Sequence, residues 1–140
     1  MIIDASVVID AVADDGPRGT AAREALRVVP ADEPLLAPGH HAVEVLTGLR
    51  VIAALRRRSS PVRDVPYLMD QAEKFGIRIE GTPWVDMHRA WDLAQGSLSL
   101  ADAVYIAAAE RLRTAFLTAD RRIERSGAAF RCDLVTVGLS

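Results

Sequence analysis

The sequence has one cysteine, one lysine, few aromatic residues and no long uninterrupted apolar run. Cys132 alone cannot form an intrachain disulfide, and a cysteine-built zinc site is excluded. The apolar stretches are too short to span a bilayer, and many carry charges, which excludes a transmembrane helix. Internal repeats and low-complexity tracts are absent. Basic charge is not in excess either: the formal net charge is −2, which does not mark out a nucleic-acid binder. Lys74 is the one lysine among 17 basic residues. Such a bias fits a genomic preference for arginine codons, and it equally fits two-pronged phosphate recognition by guanidinium groups. Composition leaves both open.

What is present is a chain of 140 residues of which 50% are hydrophobic, enough for one domain over residues 1–140 with a sizeable core. It opens on apolar residues and meets Asp4 at once, with no basic leader or cleavage-like site, which predicts a cytoplasmic protein.

Short apolar runs alternate with longer segments of helical periodicity. Strands are expected at residues 1–4, 34–37, 77–80, 115–118 and 134–137. Helices are expected at 5–13, 20–29, 40–58, 62–75, 84–94 and 100–113, with a short one at 121–125. Gly16, Pro17 and Gly19 break the first two helices apart, Pro66 disturbs the fourth, and Gly76 suits its C-cap. In the 40–58 helix, Val45, Leu46, Leu49, Ile52 and Ala53 form one apolar stripe, and the Arg56-Arg57-Arg58 run followed by Pro61 ends it. Strands separated by helices predict an α/β fold of three layers, with a five-stranded parallel sheet covered on both faces.

Four carboxylates stand where acids are unusual. Asp4 and Asp120 each follow a strand, at the edge where open parallel sheets bind ligands, although each also suits the start of a helix. Asp102 precedes a nearly unbroken apolar helix, and Ser99-x-x-Asp102 also has the spacing of a capping box. Glu44 sits on the flank of the apolar stripe, where an unpaired carboxylate is costly to bury and an arginine partner is the simple alternative. Two carboxylates about 4 Å apart repel by about 4 kcal/mol at an effective dielectric near 20. Gathering four therefore calls for a cation, and an all-oxygen donor set selects Mg²⁺ or Mn²⁺. Such an ion activates water and stabilises charge on phosphoryl oxygens, so the pattern points to phosphodiester hydrolysis.

Ser6 and Thr118 lie two residues from Asp4 and Asp120, spaced to orient those carboxylates from behind or to act as local turn hydroxyls. Arg121 and Arg122 offer positive charge for an RNA backbone, or simply a polar helix face. The His40-His41 pair reads as a solvated helix start rather than a metal site. An acidic-pocket phosphatase or phosphoacceptor domain fits less well, because Asp4-Ala5-Ser6 lacks a second acid and Lys74 is the one lysine. No serine or histidine triad is evident.

The chain resembles the PIN-domain family, and within it the compact VapC-type toxins, over essentially its whole length. The opening MIIDAS resembles the family's strand ending in Asp with a hydroxyl two residues on, at Asp4 and Ser6. APGHHAVEVLTGLR resembles the Pro-led helix bearing Glu44, LSLADAVYIAAAERL the helix bearing Asp102, and FLTADRRI the strand end bearing Asp120. The resemblance implies strand order 3-2-1-4-5 and a Mg²⁺- or Mn²⁺-dependent endoribonuclease acting on RNA. It also implies a homodimer held inactive by a VapB-like antitoxin whose C-terminal segment wraps the active-site groove. Two departures stand out: Ala101 where many relatives carry an aromatic residue, and the Gly39-His40-His41 run. A stand-alone nuclease, or a non-catalytic module binding RNA or a partner on the same fold, are the alternatives.

Overall fold

Ile2 and Ile3 are both fully buried, so this short run is covered on both of its faces. It forms β1 (Ile2–Ile3), and α1 (Ala5–Ala13) and α2 (Pro17–Arg27) follow. A computed structural model describes residues 1–56 and 61–138. The order continues with β2 (Leu36–Ala37), α3 (His41–Leu55), α4 (Pro61–Glu73), β3 (Arg78–Ile79), α5 (Trp84–Leu93) and α6 (Leu100–Leu112). It ends with β4 (Phe116–Thr118), a 3₁₀ turn at Glu124–Ser126 and β5 (Leu134–Thr136).

All strand pairs are parallel, and the sheet runs β3-β2-β1-β4-β5, the expected 3-2-1-4-5 order. Register explains the layers. Ile2 faces Phe116 and joins the core under α5 and α6, while Ile3 faces Leu117 and joins the core under α1 to α4. The period-two alternation of strand side chains thus divides one dipeptide between two cores. Helix α6 is buried from Ala103 through Ala109, as its apolar sequence predicts. Arg89 grips the Glu110 carboxylate through Nε at 2.8 Å and Nη2 at 3.1 Å, so part of the arginine excess serves α5–α6 packing.

Several boundaries differ from the sequence reading. Helix α2 starts at Pro17, with proline at the first helical position, and Gly19 lies inside it. A Cβ on Gly19 would sit 1.7 Å from the Asp14 carbonyl oxygen, so this glycine permits the close approach of the α1–α2 turn rather than breaking a helix. Gly19→Ala is therefore expected to cost about 1–3 kcal/mol through backbone displacement, read as a fall of several degrees in Tm. An unchanged Tm would show that the turn yields freely.

Pro66 leaves α4 unbroken. Gly76 has φ +68° and its N–H donates to the Glu73 carbonyl, closing α4 as expected. On α3 the buried stripe is His41, Val45, Leu49 and Ala53, whereas Leu46 is 43% exposed. Ile52, partly buried, packs against the same core, so of the expected stripe Leu46 is the member that falls outside it. The helix expected at 121–125 is a turn leading into Glu124–Ser126. Arg57 and Arg58, expected in the last turn of α3, lie outside the described residues. Among the described residues no helix is long and apolar enough to cross a membrane.

Candidate active site

The carboxyl ends of the two central strands β1 and β4 are locked side by side. The Asp4 N–H donates to the Leu117 carbonyl at 2.9 Å, which fixes the backbone of Asp4 beside the loop that carries Asp120. Helix α3 brings Glu44 in from its first turn, and α6 brings Asp102 in from its own first turn. Asp4, Glu44, Asp102 and Asp120 all line one cavity of about 310 Å³, together with Ser6, Ser99 and Arg122. A larger open cleft of about 670 Å³ adjoins it, sharing Ser6 and Ile9.

Asp4 is buried and starts α1 without a side-chain capping bond, so the helix-cap alternative does not account for it. Its Oδ2 accepts from Ser6 Oγ at 2.7 Å and from Thr118 Oγ1 at 2.6 Å. Both hydroxyls also accept from the β4 loop, Ser6 from Ala119 N–H at 3.1 Å and Thr118 from Asp120 N–H at 3.0 Å. Thr118 thus orients Asp4, whereas its spacing of two residues from Asp120 predicts that it serves the Asp120 carboxylate. Burial holds the Asp4 carboxyl above its ordinary range despite these donors, and the Glu44 charge adds to the rise.

Asp102 is raised as well, first by burial, with the Asp4 and Asp120 charges contributing. Its backbone N–H donates to Ser99 Oγ at 3.1 Å, so Ser99 caps α6 as the Ser99-x-x-Asp102 spacing predicts, while the Asp102 side chain lines the cavity. Asp120 goes the other way. Arg122 hydrogen-bonds it through Nε at 3.0 Å and Nη2 at 2.7 Å and holds its carboxyl below the usual range. The Arg122 backbone N–H adds a bond to Asp120 Oδ1 at 2.9 Å. Arg122 is therefore engaged as a counter-ion to Asp120, and both Arg121 and Arg122 are exposed.

Glu44 has no arginine partner among the described residues. Its Oε1 is buried with no hydrogen-bond partner, and the one cation-capable group beside it is His40 Nε2 at 3.4 Å. Neither histidine is the solvated residue expected. His40 Nε2 lies 3.0 Å from the Ala101 carbonyl, and buried His41 places Nδ1 3.0 Å from the Tyr105 hydroxyl. Burial, and then His40, pushes His41 down to about 4, so its ring is neutral at physiological pH. Burial and the charges of Glu44 and Asp4 drive the Tyr105 hydroxyl far upward. Tyr105 was the available signal for this network, because a tyrosine inside an apolar helix needs a partner for its hydroxyl.

The four acids thus share one pocket and one another's fields. Among the described residues, however, no group of three or more His, Cys, Asp or Glu side chains is assembled as a ready metal cage.

The PIN domain family matches residues 1–128. No curated protein matches the chain by sequence. Among solved structures, VapC20 of Mycobacterium tuberculosis, a sarcin–ricin loop cleaving toxin, superposes with a TM-score of 0.66 at 16% identity, over 91% of this chain and 95% of that one. A toxin–antitoxin complex from Klebsiella pneumoniae gives 0.68 at 19% identity, over 99% of this chain and 98% of that one. At these identities the likeness establishes the fold, and the family match over 128 residues settles the kinship. This chain belongs to the PIN domain family.

Proposed function

We propose that the chain is a Mg²⁺- or Mn²⁺-dependent endoribonuclease, organised as one domain over residues 1–140, and the toxin of a type II toxin–antitoxin pair. One observation carries this: carboxylates from four separate segments line a single cavity at the carboxyl edge of the sheet.

The residues fit a hard divalent cation. Their donors are all oxygens, Asp4 is held above its ordinary range by burial and the Glu44 charge, Asp102 by burial and the charges of Asp4 and Asp120, and Glu44 Oε1 is buried with no hydrogen bond. Asp4, Glu44, Asp102 and Asp120 would hold the ion, which supplies water activation and charge neutralisation at the phosphate. The chain's own contribution is positional. Ser6 and Thr118 aim Asp4, and Ser99 fixes the first turn of α6 beneath Asp102. Arg122 lines the cavity and exposed Arg121 precedes it in the chain, which supports a role for both in meeting the RNA backbone.

The toxin assignment draws on likeness to VapC20 and to the Klebsiella complex, and it carries with it a VapB-like antitoxin partner and a cytoplasmic site of action. Exposed apolar side chains, Val43, Leu46 and Leu55 on α3 and Trp84 and Trp91 on α5, support a homodimer. A competing reading, a non-catalytic binding module, draws on the two-pronged grip of Arg122 on Asp120. An RNA cleavage assay across a Mg²⁺ and Mn²⁺ titration separates the two. Cleavage that rises with either ion and vanishes in EDTA is expected; turnover that persists in EDTA overturns the metal mechanism, and none at any concentration favours the module.

A further inference from the structure

His40 is the N-cap residue of α3, yet its side chain makes no capping bond to its own helix. It reaches instead across to α6. Its Nε2 lies 3.0 Å from the carbonyl of Ala101, the residue before Asp102, and 3.4 Å from Oε1 of Glu44, one turn along α3. A carbonyl only accepts, so Nε2 carries the hydrogen there. The ring is held in that pose by Tyr105, at a centroid distance of 4.7 Å and a tilt of 60°. Beside it, His41 Nδ1 meets the Tyr105 hydroxyl at 3.0 Å, a second tie between the same two helices. Glu44 Oε1 is a buried oxygen without a hydrogen bond, and His40 Nε2 lies 3.4 Å from it.

We propose that His40 is a positioning residue of the acidic site: its imidazole bridges the start of α3 to the start of α6 and sets the separation of Glu44 from Asp102. The proposal rests on the metal-dependent nuclease reading above. Two helices carry those two acids, and the His40–Ala101 hydrogen bond joins the start of one to the start of the other. A shift of either helix start moves one ligand relative to the other. Metal affinity is sensitive to such shifts, with partners behind the ligands typically worth 10–100-fold.

The test is Mn²⁺ affinity by calorimetry on the full chain, with RNA cleavage as a second readout. Three variants divide the possible roles. His40→Ala removes the bridge; His40→Phe keeps a ring against Tyr105 but removes the N–H; His40→Gln restores an N–H on a long side chain. We expect His40→Ala and His40→Phe to bind Mn²⁺ about 10–100-fold more weakly. We expect His40→Gln to recover a substantial part of the loss, with Tm in EDTA little changed across the set. Should His40→Ala fail to fold, the contrast between His40→Phe and His40→Gln decides. Affinity within twofold of wild type in His40→Phe would reduce His40 to a packing residue and overturn the proposal. A wild type that binds no Mn²⁺ overturns the nuclease reading itself, and this proposal with it.

Discussion

Asp4→Asn is expected to stay folded and to lose RNA cleavage by at least about a hundredfold, a barrier increase of about 2.7 kcal/mol or more. The two halves of this result have separate causes. Folding survives because an asparagine carbonyl oxygen accepts the same two hydrogen bonds that Oδ2 takes from Ser6 at 2.7 Å and Thr118 at 2.6 Å. Cleavage is lost because a neutral amide neither binds a divalent cation as a carboxylate does nor contributes charge to the pocket.

The pH dependence of stability follows from the same residue. The folded-state pKa of Asp4 is raised above the unfolded value of 3.8, by burial first and then by Glu44. A raised folded pKa means a contribution fully present below 3.8 and lost as pH rises through the folded value. At neutral pH, in EDTA, the Asp4 charge is therefore a burden, and Asp4→Asn is expected to melt at or above the wild-type temperature. That advantage shrinks as pH falls toward 3.8. Single-turnover cleavage and thermal melts across pH check both halves. Wild-type cleavage by Asp4→Asn, or its collapse at neutral pH, would assign the carboxylate a structural role instead.

Adding Mn²⁺ is expected to reverse the sign. At a free concentration one hundred times its Kd, an ion binding only the folded state stabilises by about 2.7 kcal/mol. With an unfolding entropy near 2.1 cal/mol/K per residue, that is a rise of about 9 °C in Tm for a chain of 140 residues. Glu44→Gln is expected to gain far less. In EDTA the order inverts, because Glu44 is one of the charges pushing the Asp4 carboxyl upward and its removal relieves that push. A crossing of the two Tm curves as Mn²⁺ is added is the signature of a shared cation site. Parallel curves, or a wild type indifferent to Mn²⁺, would mean that the acids are neighbours without a common ligand.

Much of the site was legible one residue at a time. Asp4 and Asp120 announced themselves by following apolar runs, and Asp102 by standing before a helix buried nearly all round. Other features were misread for a common reason. Gly19 reads as a helix breaker because sequence shows no Asp14 carbonyl packed against it. Arg122 reads as positive charge for RNA or a polar face because the sequence does not show its guanidinium turned back onto Asp120. Leu46 reads as core because periodicity gives a stripe and not its width. His40 and His41 read as solvated because their partners, Ala101 and Tyr105, lie 61 and 64 residues further along the chain.

By itself the sequence determined the alternation of strands and helices, the family, and the residue types able to hold a hard cation, because apolar periodicity and oxygen donors are written residue by residue. Only the tertiary structure decided that Thr118 serves Asp4, that Arg122 closes on Asp120 and that two histidines tie α3 to α6. Those are distances between groups far apart in the chain or free to turn elsewhere, and packing alone sets them.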